Sequence, residues 1–310
     1  MKTIKNILLV LSTGYIFFYF SERLFWARFR PEDSAAEWLW TWLAYSLMAY
    51  VFLFLVSWFR VKNIWGIFLA GAAFGWLGEG VIVQTTYEDL PLSISFTALA
   101  WHALITVWVG WYALRLALLR STWATVKWAA WVGVGFGFWA INWWLEPDGG
   151  VSTLAEFAAH LFLATLIVVP AYGLANWSSS ERFAPPRWMT WLAGGFFALA
   201  FVAAAPAAPS AAIILPVLLG LVYLGLRRNR LNEKDGSLLD VLQGPVPAGR
   251  LLALFILPLT GTLVYAGALA LDLQWQTNWL LYLVTTPLGF ILFGVGFYKM
   301  FKGKPSGGSA

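Results

Sequence analysis

Apolar stretches of about 20 residues recur along this chain, and nearly all its basic residues fall between alternate pairs of them. Threaded through a bilayer, the stretches give ten helices at 4–24, 36–59, 64–85, 93–119, 124–145, 152–176, 187–206, 209–226, 249–271 and 277–299. One side then receives 17 of the 20 Lys and Arg: Lys2 and Lys5; Arg60 and Lys62; Arg115, Arg120 and Lys127; Arg182 and Arg187; Arg227, Arg228, Arg230, Lys234 and Arg250; and Lys299, Lys302 and Lys304. Arg23, Arg28 and Arg30 share a single short loop on the other side, whose segments also carry the acids Glu32, Asp33, Glu88, Asp89, Glu146, Asp148 and Asp272. Short loops rich in Lys and Arg resist translocation, so the basic side is expected to be cytoplasmic. The expected fold is an all-α, polytopic integral membrane helical bundle of about ten transmembrane helices, with N- and C-termini cytoplasmic, in the cell (plasma) membrane.

Sixty per cent hydrophobic and 11% charged residues leave too little polar surface to cover a water-soluble core of this size. The net charge of +5 is accounted for by loops beside anionic lipid. Membrane lipids are therefore the expected partners, and nucleic acid is not. The chain has no Cys, which excludes disulfides, iron–sulfur clusters, thiolate zinc and a cysteine nucleophile. Many of its 21 Trp, among them Trp26, Trp38, Trp143, Trp177 and Trp279, fall near span ends, where amphipathic rings favour the interface. The N-terminal apolar run approaches a full span and precedes Ser21-Glu22-Arg23 without a small-x-small cleavage site, so it is expected to be kept as the first helix.

The ionisable groups at membrane depth divide the chain in two. Residues 1–180 form a six-helix membrane half that holds nearly all of them. Residues 187–310 form a four-helix apolar half with a cytoplasmic loop at 227–250, where Leu238, Leu239, Val241 and Leu242 suggest a short interfacial helix. Ala204-Ala-Pro-Ala-Ala-Pro209 is the weakest of the expected turns. The repeated string Ile-Leu-Pro-x4-Leu-Val-Tyr-x-Gly at 214–225 and 256–267 is read as a chance match in apolar sequence.

Within the first half, Gly71, Gly75 and Glu79 follow at four-residue intervals and share one helix face. Glycines at that spacing admit a neighbouring helix closely, which points Glu79 into packed protein about 9 Å inside the acidic boundary. An ionisable group at that depth is expensive and is a functional candidate for that reason. His102 lies on a small and polar stripe with Ser95, Ala98, Thr106 and Gly110. Glu156, His160 and Ala164 form a third such face, and the two histidines lie at about the same depth. Glu79, His102, His160 and Glu156 are thus the candidate catalytic residues, expected to converge on one cavity, with Glu37, Gln84, Tyr87 and Asn142 around it.

Two chemistries fit that set. His102, His160 and Glu79 are donor types for a divalent metal such as Zn²⁺ or Fe²⁺, although no His-x-x-x-His spacing accompanies them. Alternatively, Glu79 acts as a general acid or base with a histidine to orient it. A membrane clasp of hydrogen-bonded side chains is the purely structural alternative. There is no Gly-x-Ser-x-Gly string to indicate a serine hydrolase. The order Glu79, His102, His160 resembles the CAAX-processing intramembrane protease family. That family, however, pairs its glutamate with a second one and an Arg four positions on, and follows its last His with Asn or Asp. This chain has Gly78-Glu79-Gly80 and Ala164 at those places, so its activity is not carried over. The expected function is a membrane-embedded enzyme acting on a lipid-like or isoprenoid-like substrate from the outer leaflet. A proton-coupled transporter or carrier, and a non-catalytic subunit of a membrane complex, are the alternatives.

Overall fold

A computed structural model describes residues 2–31, 33–146, 150–179, 183, 185–228, 230 and 237–302. Glu32, Asp148, Arg182, Lys234 and Lys304, which entered the charge pattern above, lie outside them. The described residues are helical throughout, with no strand. In chain order the long helices are α1 (Thr3–Trp26), α2 (Ala35–Trp58), α3 (Ile64–Ile82), α4 (Leu92–Arg120), α5 (Thr122–Ala140), α6 (Leu154–Ser178), α7 (Arg187–Ala204), α8 (Ala211–Arg228), α9 (Ala248–Ala270) and α10 (Thr277–Lys302). All except α5 are long and apolar enough to cross a membrane, nine among the described residues. The chain is a polytopic helical membrane bundle.

The exception, α5, was expected as the fifth span. Its Trp and Lys residues lower its mean hydropathy, but it runs beside α9 for most of its length. Gly133 abuts the carbonyl of Leu257, and a Cβ on Gly137 would stand 2.6 Å from the carbonyl oxygen of Gly261, so glycine is what lets these two backbones touch. At its start Ser121 caps the helix through Ala124 N, and Arg250 reaches the neighbouring carbonyls of Leu118 and Leu119 at 3.0 and 2.8 Å. At its other end Trp139 meets Phe25 and Thr277. It thus joins the two ends of the bundle as the other long helices do.

Local sequence explains the breaks. Ser34, Asn63 and Thr153 accept backbone N–H groups at the starts of α2, α3 and α6, satisfying donors a helix start leaves open. The expected weak turn holds: α7 ends at Ala204 and α8 begins at Ala211, with Pro206 and Pro209 between them. Contacts between loops mark two ends. Ser57 to the Phe183 carbonyl, the Leu238 amide to the Val61 carbonyl, and Arg230 over Trp58 join loops of the basic end. Gln84 to the Ala204 carbonyl and Asn278 to Glu146 join loops of the acidic end.

Three local expectations are corrected. The helix in the 227–250 loop, Leu238–Val241, turns Leu238, Leu239 and Leu242 into the protein and leaves Val241 exposed, so most of its apolar surface packs on the bundle. Arg115, counted with the cytoplasmic segments, is fully buried, with contacts to Asn176 Oδ1 (2.6 Å), Ser179 Oγ (2.6 Å) and the Ala175 carbonyl (2.9 Å), its guanidinium over the Trp111 ring. Arg23 is likewise buried, paired with Asp33 through both oxygens at 2.8 and 3.2 Å and lying against Trp38. Oxygen acceptors and an aromatic face offset much of the cost of burying each guanidinium, although Arg23 Nε and Arg115 Nη1 are left without a hydrogen-bond partner. The repeated string, read as a chance match, has its two tyrosines in different settings: Tyr265 is buried and Tyr223 is 46% exposed.

Candidate functional site

The helices that meet at the acidic end are α1, α3 and α4, and each of them abandons α-helical geometry where it carries a polar side chain. Tyr19–Arg23 of α1, Gly78–Ile82 of α3 and Ala98–Ala113 of α4 are π-helical. Amides there reach back five residues, as Val83 does to the Gly78 carbonyl and His102 to that of Thr97, both at 3.0 Å. Such wider turns are uncommon and gather at functional sites. Here they present Ser21 and Glu22, Glu79, and His102 to one another.

Glu79 and His102 pair as their faces imply. A Cβ on Gly71 would stand 3.2 Å from the Cα of Ala103, and Gly75 abuts the Ala98 carbonyl, so α3 and α4 are in backbone contact on the face that carries Glu79. Glu79 Oε1 then lies 2.7 Å from His102 Nε2, with side chains 13% and 6% exposed. The other carboxylate oxygen accepts the Thr85 hydroxyl. Across the ring, His102 Nδ1 lies 2.9 Å from Ser21 Oγ, itself 3.0 Å from Thr106 Oγ1. A neutral imidazole satisfies both contacts: Nε2–H donates to the carboxylate and Nδ1 accepts the serine hydroxyl. Phe74 packs edge-on to the ring at 5.2 Å.

Glu22, Glu79 and His102 together form the wall between two cavities. The larger, about 560 Å³, opens among the acidic-end loops and is lined also by Ser21, Arg30, Thr85 and Trp101. The smaller, about 280 Å³, passes between α2 and α3 beside Tyr45, Met48 and Phe74. It is lined also by Trp40, Ile82 and Val83, which are 66%, 44% and 59% exposed. Glu22 is held in this wall by the Trp26 indole (2.9 Å) and the Tyr45 hydroxyl (2.8 Å). Sequence reasoning passed over both Ser21 and Glu22, treating them as the end of a span.

The other candidates are elsewhere. His160 faces α1 from the opposite side, where its Nε2–H donates to the Arg23 carbonyl at 2.8 Å and Phe29 packs edge-on at 4.9 Å. It lines neither cavity, and the expected convergence of all three helices reduces to α3 with α4. Glu156 is exposed and forms a capping box with Thr153 at the start of α6. Gln84 holds the α7 terminus and Tyr87 donates to the Gly80 carbonyl; neither these nor Glu37 or Asn142 line the cavities. The Asp33 carboxyl, buried in the loop that ends α1, is pushed up by burial and pulled down further by Arg23 and Arg30, which hold it at about 2.

Both ring nitrogens of His102 are engaged by Ser21 and Glu79, and His160 Nε2 is engaged by a backbone carbonyl. Among the described residues no three His, Cys, Asp or Glu groups come together as a ligand set. No protein-family model, curated protein or solved structure matches the chain.

Proposed function

We propose that the chain is a membrane-embedded enzyme that acts on an amphiphilic, lipid-like or isoprenoid-like substrate by acid–base chemistry at Glu79 and His102. The observation that carries this reading is the position of the pair, which lines both the loop-side cavity and the apolar gap between α2 and α3; we take that gap as the way in from lipid. A substrate entering between α2 and α3 brings its reacting group to the carboxylate and imidazole while its tail stays in the apolar gap. Glu79 takes or gives the proton, and His102 holds it in place and shares the charge. A carrier would need a water path to both faces, whereas a lateral entry beside the pair serves catalysis.

By the distribution of Lys and Arg, the acidic end faces outward, both termini face the cytoplasm, and the cell membrane is the location. Residues 1–180 carry the chemistry in this reading, while 187–310 support it. Reporter fusions after residue 304 and within 227–250 are expected to read as cytoplasmic and one within 146–151 as external. An external C-terminus would reverse the leaflet.

The chemistry is tested with purified protein in nanodiscs of total polar lipid, following lipid species by mass spectrometry against Glu79→Gln protein of equal thermal stability. Species consumed or formed by the wild type alone support the reading. Identical time courses for the two proteins overturn it.

A further inference from the structure

The acid–base reading leaves one group of the site unused. Ser21 is buried, lines the larger cavity, and stands at the far side of the His102 ring from Glu79. Its Oγ is 2.9 Å from Nδ1, while Glu79 Oε1 is 2.7 Å from Nε2. A hydroxyl within reach of an imidazole, with that imidazole oriented by a carboxylate on its other nitrogen, is the arrangement that activates an oxygen nucleophile. Its further contacts, with Thr106 Oγ1 at 3.0 Å and with the Tyr45 hydroxyl, are compatible with this, because a hydroxyl donating to Nδ1 also accepts. A serine that merely steadied the ring would have no need to border the cavity.

Building on the lipid-enzyme reading, we propose that Ser21 is a covalent nucleophile toward carboxylic esters of amphiphiles, with His102 as its base and Glu79 as the carboxylate that orients the base. The Ser21 Oγ–carbon bond forms as the hydroxyl proton passes to Nδ1 and the carbonyl π electrons move onto oxygen. The oxygen then returns its electron pair, the ester C–O bond breaks, and the departing alcohol takes the proton from Nδ1. Water, deprotonated by the same nitrogen, attacks the acyl-serine ester and releases the carboxylic acid, restoring Ser21. The gap between α2 and α3 accommodates the apolar chain throughout.

The test does not require the substrate. Folded protein in nanodiscs is treated with a long-chain alkyl fluorophosphonate, which transfers its phosphonyl group to activated serine, and the adduct is located by peptide mass. We expect one adduct, on Ser21, lost in Ser21→Ala and formed at least about tenfold more slowly in His102→Ala and Glu79→Gln. Because the chain contains no cysteine, Ser21→Cys offers a second readout, a single thiol. Its alkylation by iodoacetamide at pH 6 should be at least about tenfold faster with His102 present than in the double variant with His102→Ala. Absence of a Ser21 adduct on folded wild type, an adduct that survives Ser21→Ala, or thiol alkylation indifferent to His102 each overturns the proposal. Lipid turnover lost in Glu79→Gln but kept in Ser21→Ala would remove the nucleophile and leave the acid–base reading standing. An adduct on Ser21 without any lipid turnover would do the reverse.

Discussion

His102 and His160 flank the same stretch of α1, one bonded to Ser21 and the other to the carbonyl of Arg23 two residues on. Their depth, their burial and their place among small residues are alike. Their partners differ. His102 has a carboxylate on one nitrogen and a hydroxyl on the other, both bordering open volume, so a proton can move through it. His160 donates to a backbone carbonyl inside closed packing against Phe29, so it holds α1 and α6 together. A histidine at membrane depth is therefore no sign of chemistry by itself; what counts is a partner that exchanges protons and a cavity that admits something to exchange with.

The largest expected effect separates the two regions outright. Glu79→Gln and His102→Ala should each lower turnover at least about 100-fold, with the double variant no worse than the poorer single one, because groups acting as a unit are non-additive. Equal losses from His160→Ala, measured per folded molecule, would erase the distinction.

On the His160 side the expected losses are of stability. Asp33→Asn leaves the buried Arg23 charge unpaired and should destabilise by about 3–5 kcal/mol in chemical unfolding. The same pair gives a pH signature. The Asp33 carboxyl sits lower folded, at about 2, than its ordinary 3.8, so its contribution is complete above 3.8 and is lost as pH falls through about 2. Melting temperature should drop over that window in the wild type, and by less in Asp33→Asn. His160→Ala should cost about 2–3 kcal/mol through the lost ring packing and hydrogen bond, with turnover per folded molecule retained. The smallest effect is expected at Glu156→Ala, a slight fall in melting temperature from the opened capping box and no change in activity.

Long apolar runs and the alternation of Lys and Arg made the bundle legible, because a bilayer reads helix length and loop charge directly. The Glu79–His102 contact was legible for a related reason. Gly71 and Gly75 mark the face of α3 that touches α4, and that face carries Glu79. His160 was misplaced because depth along a helix can be counted from sequence, whereas the side of α1 on which α6 packs depends on tertiary contacts such as Tyr19 with Thr165. Ser21 and Glu22 escaped notice because they adjoin Arg23, which looked like the first loop residue. Trp38 and Asp33 bury that arginine and carry α1 on to Trp26.

The π-helical turns at Tyr19–Arg23, Gly78–Ile82 and Ala98–Ala113 have a consequence for how this site can be gained or lost. Relative to an α-helix each wider turn holds surplus chain, and the side chains beyond it sit out of phase with those before. Deleting one residue within such a turn would let the helix relax to 3.6 residues per turn, and a side chain inside the turn would move round the axis by about 100° while those beyond it stay in phase. Removing Gly78, for example, would keep Glu79, Gly71, Gly75 and the apolar character of α3, yet aim the carboxylate away from His102. The site is thus encoded in the spacing of residues as much as in their kinds. A chain with every one of these side chains and one residue fewer could insert, fold and lack it.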